Sequence, residues 1–204
     1  MAKVKKTKVE MKAQKEALKR FQRFLPMLQL KKQQLQVEIQ AITAKIDDVY
    51  ERENTINEEL DKWVALLNEP VDLESLVVVE NVETSRGNIA GVNIPVLENV
   101  AMRPAEQDLF ETPTWVDDAI ETIGQLTKLE IERNILEEQR ELVTEELRVT
   151  TQRVNLFEKV KIPECKENIR VIKIFLGDEQ TAAVARGKIA KRRSETDDEQ
   201  EVAA

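Results

Sequence analysis

The chain has 204 residues, a formal net charge of −8, 34 % charged residues and only 4 % aromatics, a composition that argues against an ordinary spherical core. It has no histidine, which removes imidazole metal ligation, histidine acid–base chemistry and every Ser-His or Cys-His nucleophile. Its single cysteine, Cys165, cannot form an internal disulfide and reads as a small apolar residue in a helix seam.

The N-terminus is basic: Lys3, Lys5, Lys6, Lys8, Lys12, Lys15, Lys19 and Arg20 stand against Glu10 and Glu16. No apolar stretch follows that would make a secretory signal. The longest aliphatic run, Leu76 to Val79, is far short of a membrane span, so no direct membrane insertion is expected.

Residues 1–69 read as an N-terminal helical arm. Steps of alternating three and four from Met11 land on Gln14, Leu18, Phe21, Leu25, Leu28, Lys32, Leu35, Ile39, Ile42, Ile46, Val49, Glu53, Ile56, Leu60, Trp63 and Leu67. Only Gln14, Lys32 and Glu53 are polar, so this is a coiled-coil seam carried for about eight heptads. Pro26 falls inside it without changing its phase, which predicts a kink in a continuous helix. Asn68 and Pro70 are expected to end the arm.

Residues 70–113 read as a β-hairpin and loop insert. Leu76–Thr84 is one expected strand, Ser85-Arg86-Gly87-Asn88 the expected turn, and Ala90, Val92, Ile94 and Val96 one face of the second strand. Pro95 confines that strand to an edge. The hairpin is expected to pack across the closed end of the arms.

Residues 114–193 read as a C-terminal helical arm opened by Thr112-Pro113-Thr114, with Asp117, Asp118 and Glu121 suited to its first turn. Its apolar stripe includes Val143, Leu147 and Val154. Beyond Pro163, a second expected kink, it resumes as Cys165, Ile169, Ile172, Leu176 and Ala183. Residues 194–204 read as a disordered acidic tail. The expected fold is mainly α: an antiparallel two-helix coiled coil with a small hairpin insert. Pairing would bring the basic ends, Lys5, Lys8, Lys12 and Lys15 with Arg186, Lys188, Lys191 and Arg192, to one tip. No phosphate-binding loop is present, and carboxylate pairs such as Asp47-Asp48 have no reason to be buried. No catalytic residue, cofactor or metal site is expected.

Several segments resemble the D subunits of the vacuolar/archaeal-type rotary ATPases. Asn88-Ile89-Ala90-Gly91-Val92-Asn93-Ile94-Pro95 is similar to that family's N-x-x-G-V-x-x-P segment. Arg153-Val154-Asn155-Leu156 with Ile162-Pro163 resembles its R-V-N and I-P stretch, and Leu28-Gln29-Leu30-Lys31-Lys32 with Leu35 its first-arm motif. Arg186-Gly187-Lys188-Ile189-Ala190-Lys191 resembles its basic helix end. The resemblance implies a central rotor axle, non-catalytic and cytoplasmic, peripheral to a membrane through its complex. The implied partners are the A and B catalytic-head subunits, the F subunit and the subunit that couples to the membrane ring. The basic residues of the two ends are the expected head contacts. Two other readings are a prefoldin-like chaperone clamp and a nucleic-acid-binding coiled-coil arm. Basic tips count against the first; net acidity and the lack of an aromatic platform count against the second.

Overall fold

A computed structural model describes residues 5–62, 77–104, 113 and 115–202. Helix α1 spans Lys8–Leu60, strands β1 and β2 span Val77–Ile89 and Val92–Pro104, and helix α2 spans Trp115–Asn155. A π turn, Leu156–Lys161, leads into helix α3, Ile162–Val202. The fold is mainly helical, with two long helical arms and one antiparallel hairpin between them. The expected end of the first arm, Trp63 to Pro70, lies outside the described residues, as do Lys3, Leu76, Thr112 and Thr114.

The residues form two compact units, each drawing on both arms. The hairpin unit is Leu30–Thr151; the terminal unit joins Met1–Gln29 to Gln152–Ala204.

Thr7 starts α1 by accepting the Glu10 N–H on its side-chain oxygen (3.2 Å) and the Met11 N–H on its carbonyl (3.0 Å). The helix is unbroken through Pro26. Every step of the three-four series from Met11 to Leu60 is buried or half-buried, the polar residues Gln14, Lys32 and Glu53 included.

In the hairpin unit α1 packs antiparallel on α2. Lys31 pairs with Glu146 and Glu53 with Arg133, so the helices run in opposite directions. Leu35, Ile42, Ile46 and Val49 meet Leu129, Leu136 and Val143 in one cluster, which Ile94 of the hairpin joins. A second cluster forms at the start of α2, where Val116 and Ala119 pack with Val77, Trp115, Ile120 and Ile123.

The hairpin differs from expectation in its turn and its placement. Ser85, Arg86 and Gly87 lie within β1, paired with Val96, Pro95 and Ile94. The turn is Ala90-Gly91, with φ of 49° and 86°, the two left-handed residues of a tight hairpin. Asn88 closes it by accepting the Gly91 N–H (3.0 Å) and donating its amide to Asn93 Oδ1 (3.1 Å). Gly87 serves a close approach instead: a Cβ there would stand 2.7 Å from Val96 Cγ2 and 3.2 Å from Ile94 Cγ1. Two register shifts, at Val79/Asn81 and Glu83/Thr84, twist the ribbon. The hairpin lies lengthwise on the helices, not across their end. Its base, at Val77, joins the cluster of Val116 and Ala119, and its tip joins the cluster that holds Leu136, some 20 residues along α2.

The second arm also departs from expectation. Pro113 precedes α2, and its carbonyl accepts the Val116 N–H (3.1 Å). Ahead of Pro163 the helix widens into the π turn, where the Ile162 N–H donates to the Phe157 carbonyl. The proline lacks an N–H and crowds the carbonyl one turn back, and a wider turn relieves that crowding. The backbone stays helical to Val202 in place of the disordered tail expected from residue 194. No proline or glycine follows Gly187 to stop it, and Glu and Gln are good helix formers.

Candidate functional site

In the terminal unit the basic stretch of α1 meets α3. Lys6 Nζ lies 5.1 Å from the centroid of the Phe175 ring, a cation–π contact. Lys6, Thr7 and Lys8 line an open groove of about 500 Å³ with Phe175, Leu176, Glu179, Gln180, Ala183 and Arg186. Of the expected head-contact residues this groove gathers Lys8 and Arg186. Lys5, Lys12, Lys15, Lys188, Lys191 and Arg192 are exposed and stand outside it.

The expected seam residues divide by unit. In the terminal unit Leu18, Phe21, Leu25, Leu28, Ile169 and Leu176 are half-buried, while Val154 and Ile172 are buried. Phe21 meets Phe157 with ring centroids 5.0 Å apart. Cys165 is buried as well. Burial, and after it the negative charge of Glu164, pushes its thiol above the ordinary range. In the hairpin unit Leu35, Ile42, Ile46 and Val49 are buried and Ile39 is half-buried.

Three features of the hairpin unit were not legible as partners in the sequence. Arg133 Nη1 donates to both oxygens of Glu53 (3.1 and 2.7 Å) while its guanidinium sits 5.3 Å over the Tyr50 ring. Glu53 breaks the apolar series because it answers this arginine. Lys31 donates to Glu146 at 2.6 Å beside the hairpin tip; a Cβ on Gly91 would stand 4.0 Å from its Nζ. Gln139, 7 % exposed, donates its amide to the Pro95 carbonyl at 2.5 Å and so ties the hairpin to α2. An outward polar-looking residue in a helix stripe was the only signal for it.

Among the exposed ion pairs Arg52–Glu132 joins α1 to α2 at 3.3 Å, and the others described are local. Glu145 and Glu167 are held below the usual carboxylate range, chiefly by hydrogen bonds from Arg148 and Arg170, which their partners raise in turn. Among the described residues no group of His, Cys, Asp and Glu could hold a metal, and no buried side-chain polar atom lacks a partner. Among the same residues no helix is long and apolar enough to cross a membrane. What the hairpin unit offers is a seam of seated side chains held by charged clasps.

Residues 10–192 match the family model of the ATP synthase D subunit. The V-type ATP synthase D subunit of Borreliella burgdorferi is 46 % identical over 195 residues, covering 94 % of this chain and 95 % of that protein. The proteins of that name from Chlamydia muridarum and Chlamydia abortus are 32 % and 31 % identical, each over 93 % of this chain, and over 95 % and 93 % of their own lengths. A match of this length, running through both arms and the hairpin, shows that the chain belongs to the family of ATP synthase D subunits.

Proposed function

We propose that this chain is the central stalk subunit of a V-type rotary ATPase, and that it carries torque between an ATP-handling head and a membrane ring. The observation that carries the reading is the likeness to a V-type ATP synthase D subunit along 94 % of the chain. The physical features agree with the work. A shaft must resist twisting, and two antiparallel helices with interlocked side chains resist better than one. It must present unlike faces to its surroundings, and α1 differs from the π-interrupted second arm.

The chain works without catalysis of its own. Its partners are the A and B head subunits, the F subunit and the subunit coupling to the membrane ring, with no nucleic acid among them. It acts in the cytoplasm, peripheral to the membrane through that complex. Lys5, Lys8, Lys12 and Lys15 with Arg186, Lys188, Lys191 and Arg192 contact the head. Co-purification from the native source tests this reading. Recovery with two larger subunits that bind ATP is expected; recovery alone, with the ATPase intact in its absence, would overturn it.

A further inference from the structure

The second arm changes heptad phase once, and α1 never does. Along α1 the inward residues hold the same two heptad positions from Met11 to Leu60. In the hairpin unit Leu129, Leu136, Val143 and Thr150 are buried at strict seven-residue intervals on α2. In the terminal unit Phe157, which faces Phe21, keeps that phase. The next buried residue is Cys165, eight positions on, and Ile172 then follows at seven. One residue has been inserted into the repeat between Phe157 and Cys165.

The π turn Leu156–Lys161 coincides with this insertion. A π turn closes between residues five apart, not four, and so takes up one residue more than an α turn. That extra residue is what lets Cys165 and Ile172 be buried on the side where Phe157, half-buried, meets Phe21. The turn is also weakly held. Its Leu156 and Val160 are 44 % and 49 % exposed, and Pro163 removes a helix donor just beyond it. On the facing helix Pro26 removes another donor within about a turn and a half of Phe21.

We propose that the π turn Leu156–Lys161 is a torsional joint of the stalk. Moving the wide turn along the helix by a residue exchanges one set of backbone hydrogen bonds for another. The helix takes up twist in this way while the side chains before and after it stay seated. The proposal rests on the rotor reading for its use, but the softness of the turn belongs to the chain alone.

The test has two arms. In the full chain, hydrogen exchange should be faster at amides 158–162 than at 143–150 and 165–172; equal protection would overturn the joint. Deleting Lys159 together with Pro163→Ala restores seven-residue spacing from Phe157 to Cys165. It should slow exchange there about fivefold, the factor that one restored hydrogen bond is worth. Pro163→Ala alone restores a donor but keeps the insertion, and should slow exchange clearly less than the deletion variant; an equal effect would place the softness in the proline and overturn the joint. In the assembled, nucleotide-stalled complex the deletion variant should narrow the angular spread of a rotor-bound probe. An unchanged spread would overturn the mechanical role. If the parent chain does not join an ATPase the rotor reading fails, while the exchange measurement still decides where the chain is soft. If the deletion variant does not fold, the exchange profile of the parent decides.

Discussion

The hairpin unit and the terminal unit share one inward pattern on α1 but are closed by different means. The hairpin unit has a third layer: Ile94 enters its cluster, Gln139 ties the hairpin to α2, and Glu53–Arg133 and Lys31–Glu146 clasp the helices. In the terminal unit the buried apolar residues are Val154, Cys165 and Ile172, with rings at Phe21 and Phe157. Leu35 is fully buried, whereas Leu18, Leu25 and Leu28 in the same three-four series stay half-buried. The same sequence pattern therefore yields a firm region where a third element covers it and a looser one where, among the described residues, none does.

Core truncation should separate the two most strongly. Leu35→Ala should cost about 2–5 kcal/mol in denaturant unfolding, and Leu25→Ala clearly less. Equal losses would break the comparison. The hairpin's close approach comes next: Gly87→Ala should cost about 1–3 kcal/mol by overpacking Val96 and Ile94. A neutral effect would mean that the hairpin does not seat as described. Glu53→Gln should cost about 1–2 kcal/mol, since it removes the charge that Arg133 answers at a half-shielded site. In contrast, Glu145→Gln on the exposed face should leave the melting temperature unchanged. Ala90→Asn should stabilise by about 0.5–1 kcal/mol, because asparagine tolerates the left-handed turn position better than alanine. Smallest is the thiol. Burial raises the Cys165 pKa above its unfolded value, so its neutral form favours folding. That contribution is full below the unfolded thiol's pKa and is lost as pH rises through the folded one. Iodoacetamide should therefore label native Cys165 far more slowly than the unfolded chain at pH 8, and stability should fall only in the alkaline range. Equal labelling rates would contradict its burial.

Much of this was legible in the sequence because helix burial follows a fixed period. On α1 the residues at the three-four steps from Met11 to Leu60 are buried or half-buried, and the series runs on across Pro26. What failed depended on partners far away in the chain. Gly87 looked like a turn residue, but its lack of a side chain serves Val96 across the ribbon, while the true turn uses an alanine. Glu53 looked like a defect until Arg133 stood opposite. Pro163 suggested a kink; the eight-residue step from Phe157 to Cys165 pointed instead to a widened turn, a signal present in the spacing but masked by the proline. The basic residues were legible as two clusters. The meeting of Lys6 and Phe175 needed the packing of α1 on α3.

As a central stalk this chain must turn. A bead coupled through Glu83→Cys on the exposed face of β1, with Cys165 buried and protected, would report rotation in the head complex under ATP. Continuous rotation in one direction that stops when ATP is withdrawn is expected. A bead that stays at rest while the complex hydrolyses ATP would contradict it.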